Sequence, residues 1–279
     1  YVNKPEEITP GVPTYYATTY FDGSDYASIV VKTREGRPIF IKGNSKYGVN
    51  KGSVNARINS SVLSLYDGFR LKGPIKDGKP YSWDKADKEI VSQLESIAAQ
   101  GGKIILLSNT ILSPSTQRII KSFQEKYPGT EWVSYDSFST SGLLDANEEA
   151  FGKRVIPNYH FDKADLIVSF GADFLGTWIS PLEYSYDYST TRKVEPGKAE
   201  MSRHIQVEST MSLTGSNCDK RIPVKPSEEA LAVLHTYNYV ASKLGGTRLN
   251  GVPKLSDKAQ SEIEKASNEL IKAKGKSLV

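Results

Sequence analysis

The chain has 279 residues, 38% of them hydrophobic and 24% charged, which fits about two globular domains and excludes a disordered polypeptide. Its net charge of +4 is spread along the sequence, so no nucleic-acid partner is expected. The single cysteine, Cys218, excludes an internal disulfide and a cluster held by this segment's own thiolates, and no apolar run has the length of a bilayer.

Residues 1–26 are rich in Pro, Gly, Thr and Tyr, lack a period, and read as an extended arm. Residues 27–32 and 38–42 are β-branched and apolar on either side of Glu35-Gly36, which predicts a hairpin. Residues 45–82 carry turn signals at Gly48, Gly52, Gly68 and Gly73-Pro74 and read as loop. At Asp84 the pattern changes. Ala86, Ile90, Leu94 and Ile97 recur at helical spacing, Gly101-Gly102 stops them, and 103–108 reads as a buried strand. Ser113-Pro114 opens the next helix. Strands are expected at 131–135, 165–170 and 204–208, with a short helix at 147–151 and helices capped by Ser227 and Ser256. Residues 178–200 read as a Tyr-rich loop, with Tyr184, Tyr186 and Tyr188 alternating as on an extended chain.

This alternation predicts an α/β fold. A small N-terminal β-rich lobe with a hairpin would span 1–82, and a doubly wound parallel-sheet lobe 83–279. Both ends read as cut. Gly275–Val279 reads as a helix cap and the first residues of a strand, so a segment of a longer polypeptide is expected.

Catalytic constellations are sparse. His160, His204 and His235 are far apart and fit no HxxxH or HExxH pattern, and no Gly-x-Ser-x-Gly elbow occurs. Cys218 lies among turn residues without nearby ligand partners. Gly171 to Gly176 follows a strand but lacks the lysine of a P-loop. Gly171 still marks the carboxyl end of a parallel strand, where such sheets bind ligands. The tyrosine groups Tyr15, Tyr16, Tyr20 and Tyr184, Tyr186, Tyr188 suggest interface anchors, and 1–26 and 178–190 are expected to pack against a partner.

The stretches Gly36-Arg37-Pro38-Ile39-Phe40-Ile41-Lys42-Gly43-Asn44, Asn50-Lys51-Gly52-Ser53-Val54-Asn55-Ala56-Arg57, and Leu65-Tyr66-Asp67-Gly68-Phe69-Arg70-Leu71-Lys72-Gly73-Pro74 together resemble molybdopterin oxidoreductases. Trp83-Asp84-Lys85-Ala86, Ala164–Asp173 and Asp219–Leu231 continue the likeness over nearly the whole chain. The departures are as informative. The stretch 15–26 has no cysteine, Asn55 stands where the family has a cluster ligand, Ile58 replaces a glycine, and Ser227 follows Pro226 in place of another. Ser137, Ser139, Ser141 and Asp145 form no ligand pattern for the metal. Arg57 keeps the family's basic position, and a carboxylate or solvent is expected beside it.

The opening Tyr1-Val2 to Thr19 and the run Val31–Pro38 are similar to one branch, the large iron–sulfur subunits of alternative complex III. The resemblance implies a segment of a quinol:cytochrome c (or oxidase) oxidoreductase on the periplasmic side of a bacterial inner membrane. Its implied partners are a multihaem cytochrome c subunit, membrane quinol-binding subunits and a ferredoxin-like half of the same chain carrying iron–sulfur clusters. It implies a scaffold with no catalytic, cofactor-binding or metal-binding residues of its own and no cofactor in this segment. The alternatives are a segment of a catalytic molybdopterin oxidoreductase lacking the N-terminal cluster, and a free-standing nucleotide-binding module.

Overall fold

The computed structural model describes residues 8–21, 23 and 25–279. In chain order the elements are β1 (Thr14–Phe21), β2 (Tyr26–Arg34), β3 (Arg37–Gly43), α1 (Ala56–Ser64), β4 (Ile75–Lys76), β5 (Lys79–Pro80), α2 (Trp83–Ala99), β6 (Ile104–Ser108), α3 (Pro114–Lys126), β7 (Thr130–Ser134) and α4 (Ser141–Phe151). There follow β8 (Leu166–Phe170), α5 (Pro181–Arg192), β9 (Arg203–Glu208), α6 (Leu213–Ser216), β10 (Lys220–Pro223), α7 (Glu229–Leu244), α8 (Asp257–Lys272) and β11 (Ser277–Leu278). Among the described residues no helix is long and apolar enough to cross a membrane.

The chain groups into two units, Tyr1–Tyr66 with Asn158–Val279, and Asp67–Pro157. This grouping follows strand pairing, not the change of period at Asp84. Among the described residues β6 and β7 pair only with each other, in parallel, with Ile104 opposite Thr130. Strand β8 pairs in parallel with β9 on one side and β11 on the other, giving the order β10-β9-β8-β11. The four expected parallel strands are therefore present to within a residue or two at each end, but in two sheets.

The four-stranded sheet is covered on both faces, as parallel sheets require. Leu166, Val168, Ile205, Val207 and Ile222 point to one side and pack against Ala232 of α7 and Ala259, Ile263, Ala266 and Leu270 of α8. The amphipathic spacing of α8 supplies that face directly. Ile167 points to the other side, into a cluster of Phe161, Phe174, Tyr184 and Tyr188. The antiparallel sheet β1-β2-β3 packs Ala27, Ile29 and Ile41 against Ile58 and Val62 of α1 and Leu182 of α5.

Three expectations are corrected. The Tyr-rich stretch is mostly helix α5, opened by Pro181 in its first turn, and Tyr184 and Tyr188 lie one turn apart on its buried side. Residues 45–82 hold α1, in which Asn55 is the N-cap and accepts the Ile58 N–H at 2.9 Å. The arm over 1–26 contains strand β1, paired with β2 along its whole length, while residues 1–7, 22 and 24 lie outside the described residues.

Candidate cofactor site at the carboxyl edge of the parallel sheet

Strands β8 and β9 end side by side at Phe170 and Glu208. The order β10-β9-β8-β11 runs outward from β8 in both directions, so the strand order reverses between β8 and β11. The carboxyl edge at such a reversal is the general ligand position of open α/β sheets.

Gly171 opens the turn there at φ +63° and donates its N–H to the Val207 carbonyl at 2.8 Å. A Cβ at this position would meet only Glu229 Oε2, at 3.7 Å, so the space over the turn is open. Oε1 of Glu229 accepts the Ser209 N–H at 2.8 Å, which leaves Oε2 as the oxygen nearest the turn.

Asp173 follows two residues later. Its Oδ1 accepts both the N–H and the hydroxyl of Thr214, at 3.0 and 2.8 Å, and that hydroxyl accepts the Leu175 N–H at 2.9 Å. Its Oδ2 takes a longer bond, 3.3 Å, from the Thr177 hydroxyl and retains acceptor capacity. Gly176 lacks a side chain for a steric reason: its Cβ would lie 2.1 Å from that same Oδ2.

Glu208 is the buried neighbour, 2% exposed. It accepts the Ser212 hydroxyl at 2.6 Å, Arg221 Nε at 2.7 Å and the Ser212 N–H at 3.2 Å. Burial alone would push its carboxyl up, but the Ser212 and Arg221 donors outweigh it and hold the group below the usual carboxylate range. Its oxygens are thus committed to positioning, not to a ligand.

A polar ladder continues from Glu208 along the face of β9. Gln206 Nε2 donates to Glu208 at 3.4 Å, His204 Nε2 meets Gln206 Oε1 at 3.3 Å, and the Tyr188 hydroxyl meets His204 Nδ1 at 3.1 Å. Burial pushes the His204 imidazole down to about 4, so it is neutral, and pushes the Tyr188 phenol up to about 12. Beside the turn a hollow of about 180 Å³ opens, lined by Tyr159, Phe161, Phe170, Phe174, Trp178 and Leu278. It suits a flat aromatic ring.

The other candidates do not assemble. The His160 side chain is half exposed beside Asp162, and His235 Nε2 bonds the Pro253 carbonyl at 2.8 Å. Burial pushes the Cys218 thiol up, and it donates to the Gly215 carbonyl at 3.0 Å. Ser139 and Ser141 bond each other, Asp145 pairs with Arg154, and Ser137 is exposed. Arg57 is exposed. Among the described residues no cluster of His, Cys, Asp and Glu is arranged to hold a metal ion. Sequence reasoning reached Gly171 but missed Glu208 and Glu229. Their only sequence signal is position, at the last residue of a strand and at a helix start.

The spare oxygens of Asp173 and Glu229 make this edge a hydrogen-bond acceptor. It suits a ring that presents an amide N–H beside an exocyclic amine, and it disfavours a phosphate placed directly on it.

No family model matches the chain. It is 21% identical over 217 residues to the menaquinone reductase molybdopterin-binding-like subunit of Nitratidesulfovibrio vulgaris, covering 73% of this chain and 29% of that protein. It is 23% identical over 242 residues to the arsenate respiratory reductase molybdopterin-containing subunit of Shewanella sp. strain ANA-3, covering 81% of this chain and 27% of that protein. The chain is molybdopterin-oxidoreductase-like. It spans less than a third of the length of these curated relatives. Acetylene hydratase from Pelobacter acetylenicus shares its fold, with a TM-score of 0.58 at 14% identity over 94% of this chain and 37% of that one.

These relatives overturn the expectation that a molybdopterin-oxidoreductase-like segment without cluster cysteines has no cofactor. Both are molybdopterin-type subunits and point to a cofactor site of that type. The inference failed because cysteine loss bears on an iron–sulfur cluster. A pterin is held by hydrogen bonds and stacking, which need no thiolate.

Proposed function

We propose that this chain is the pterin-binding segment of a respiratory reductase subunit, with the amino-oxo ring of a molybdopterin-type group at the Gly171 turn. The observation that carries this is the acceptor oxygen left on Glu229, 3.7 Å from where a Cβ of Gly171 would lie, together with the one left on Asp173 two residues further on, at the end of a strand beside which the strand order reverses. Pterin and guanine rings share an amide N–H next to an amine, the donor pair these oxygens accept. The aromatic hollow would exclude water from the ring. When bound, such a group supplies two-electron redox chemistry through its metal. The residues of this chain bind and orient its organic part.

The proposal extends to the assembly. The sequence resemblance supports membership of an alternative complex III on the periplasmic side of an inner membrane. A multihaem cytochrome c subunit, membrane quinol-binding subunits and a ferredoxin-like half of the same polypeptide would be its partners. A relative that is a menaquinone reductase subunit supports the link to quinone chemistry.

The test is pterin content. The chain is purified from a host that makes molybdopterin, and bound pterin is oxidised to its fluorescent form and counted. About one per chain is expected, with a loss of at least about tenfold in Asp173→Asn combined with Glu229→Gln. Pterin-free wild-type protein from a host whose other molybdoenzymes are loaded rejects the reading. For the assembly, the tagged native subunit should carry a haem-staining cytochrome c through purification, and its absence rejects that part.

A further inference from the structure

Among the described residues strand β1 is the outer strand of the antiparallel sheet. From Thr14 to Phe21 it reads TYYATTYF, with no charge, proline or glycine, and seven of its eight residues are exposed. Natural edge strands are normally blunted by charge, proline or a bulge, and this one has none of these devices.

The backbone shows which groups face outward. The Ser28 N–H and carbonyl are bonded on the β3 side, to Asn50 Oδ1 at 3.0 Å and to the Asn44 N–H at 2.9 Å. By alternation Ala27, Ile29 and Val31 turn theirs toward β1, opposite Tyr20, Thr18 and Tyr16. Tyr15, Ala17, Thr19 and Phe21 therefore present their N–H and carbonyl groups to the open edge.

The segment 15–21 is nearly palindromic in chemical class about Thr18. We propose that β1 pairs with β1 of a second copy of this chain, antiparallel, about a two-fold axis at Thr18. In this register Tyr15 meets Phe21 and Ala17 meets Thr19 of the second copy, and both are hydrogen-bonded pairs that use the outward groups. Tyr16 meets Tyr20, and Thr18 meets itself, in the closer non-hydrogen-bonded pairs. Opposed residues share a face, so aromatic meets aromatic on both faces and small residues meet at the centre. A one-residue slip sets residues of opposite faces against each other. A two-residue slip, centred on Ala17, opposes Tyr15 to Thr19 and Tyr16 to Thr18 and loses every aromatic pair. The self-complementary register is the isologous contact a two-fold dimer needs.

The experiment reads mass against concentration by light scattering, from low to high micromolar, on the full chain. Wild type is expected to approach twice the chain mass. Ala17→Pro removes an N–H used only at the open edge, and Thr18→Lys sets like charges on the axis. Each should weaken association by at least about tenfold while keeping the wild-type melting transition. In a Cys218→Ser background, Thr18→Cys should oxidise to a disulfide-linked dimer, because the opposed Cα atoms would lie about 4.5 Å apart, within disulfide range. Thr19→Cys should not. A single-chain mass at every concentration overturns the proposal. So does a dimer that survives both substitutions, or one that Thr18→Cys fails to lock.

Discussion

Gly215 occupies a position closed to any other residue. A Cβ there would lie 1.8 Å from Glu208 Oε1, inside the carboxylate that ties Ser212 and Arg221 to the end of β9. Gly215→Ala must therefore displace Glu208 from its donors and leave a buried charge poorly bonded. The expected cost is about 2–4 kcal/mol in denaturant unfolding. Gly142 provides the contrast. It lies in α4 with nothing within 4 Å of an added Cβ, so Gly142→Ala should be neutral or stabilise by up to about 1 kcal/mol. Equal effects at the two glycines would show that Glu208 is not held as described. Only the close approach in three dimensions separates these positions. In sequence both are glycines among small polar residues.

At the scale of elements, β9 is a strand with one apolar and one polar face, both buried. Ile205 and Val207 enter the helix-covered core, while His204, Gln206 and Glu208 form the ladder on the other face. Its burial has a consequence for pH. The folded value of His204, about 4, lies below the ordinary 6.5, so the unfolded chain binds the proton first. Stability is unaffected by this group above about pH 6.5 and falls as pH drops toward 4, by about 3 kcal/mol in total. The depressed carboxylates Glu208 and Asp219 add losses only at the acid end, below the ordinary carboxylate range. His204→Gln should flatten the dependence of melting temperature between about pH 7 and pH 5, and an unchanged slope would exclude His204 as its source.

Strand β9 was legible in the sequence because β-branched residues alternate through it, but the ladder was not. Alternation of polar and apolar residues usually marks a solvated face, and here a second layer, α5, covers it. The same layer explains the misreading of α5 itself. Tyr184 and Tyr188 satisfy a period of two and a helical turn equally, and only the buried neighbours Phe161 and Phe174 decide between them. Asn55 shows the converse. The absent thiolate was plain from sequence, while the helix-capping role that the asparagine has instead appears only once α1 is in place.

At the scale of the molecule, burial is uneven. Residues 1–66 and 158–279 contain three buried apolar clusters. Within 67–157 the buried apolar side chains among the described residues are Ile120 and Tyr127, while Trp83, Ile90, Leu107 and Ile119 stay exposed. The β6–β7 pair consequently has backbone hydrogen bonds with little apolar cover, and Leu107 is 68% exposed within it. Local opening free energy tracks such cover. Amides of β6 should therefore exchange with solvent at least about a hundredfold faster than those of β8, whose residues Leu166, Ile167 and Val168 are fully buried. Hydrogen exchange read by mass spectrometry on peptides spanning 104–108 and 166–170 measures both in one experiment. Equal protection would mean that the two units unfold as one cooperative block. The expected difference would instead confine cooperative stability to the unit that carries the Gly171 turn, so that a ligand bound there should raise protection in β8 and leave β6 unchanged.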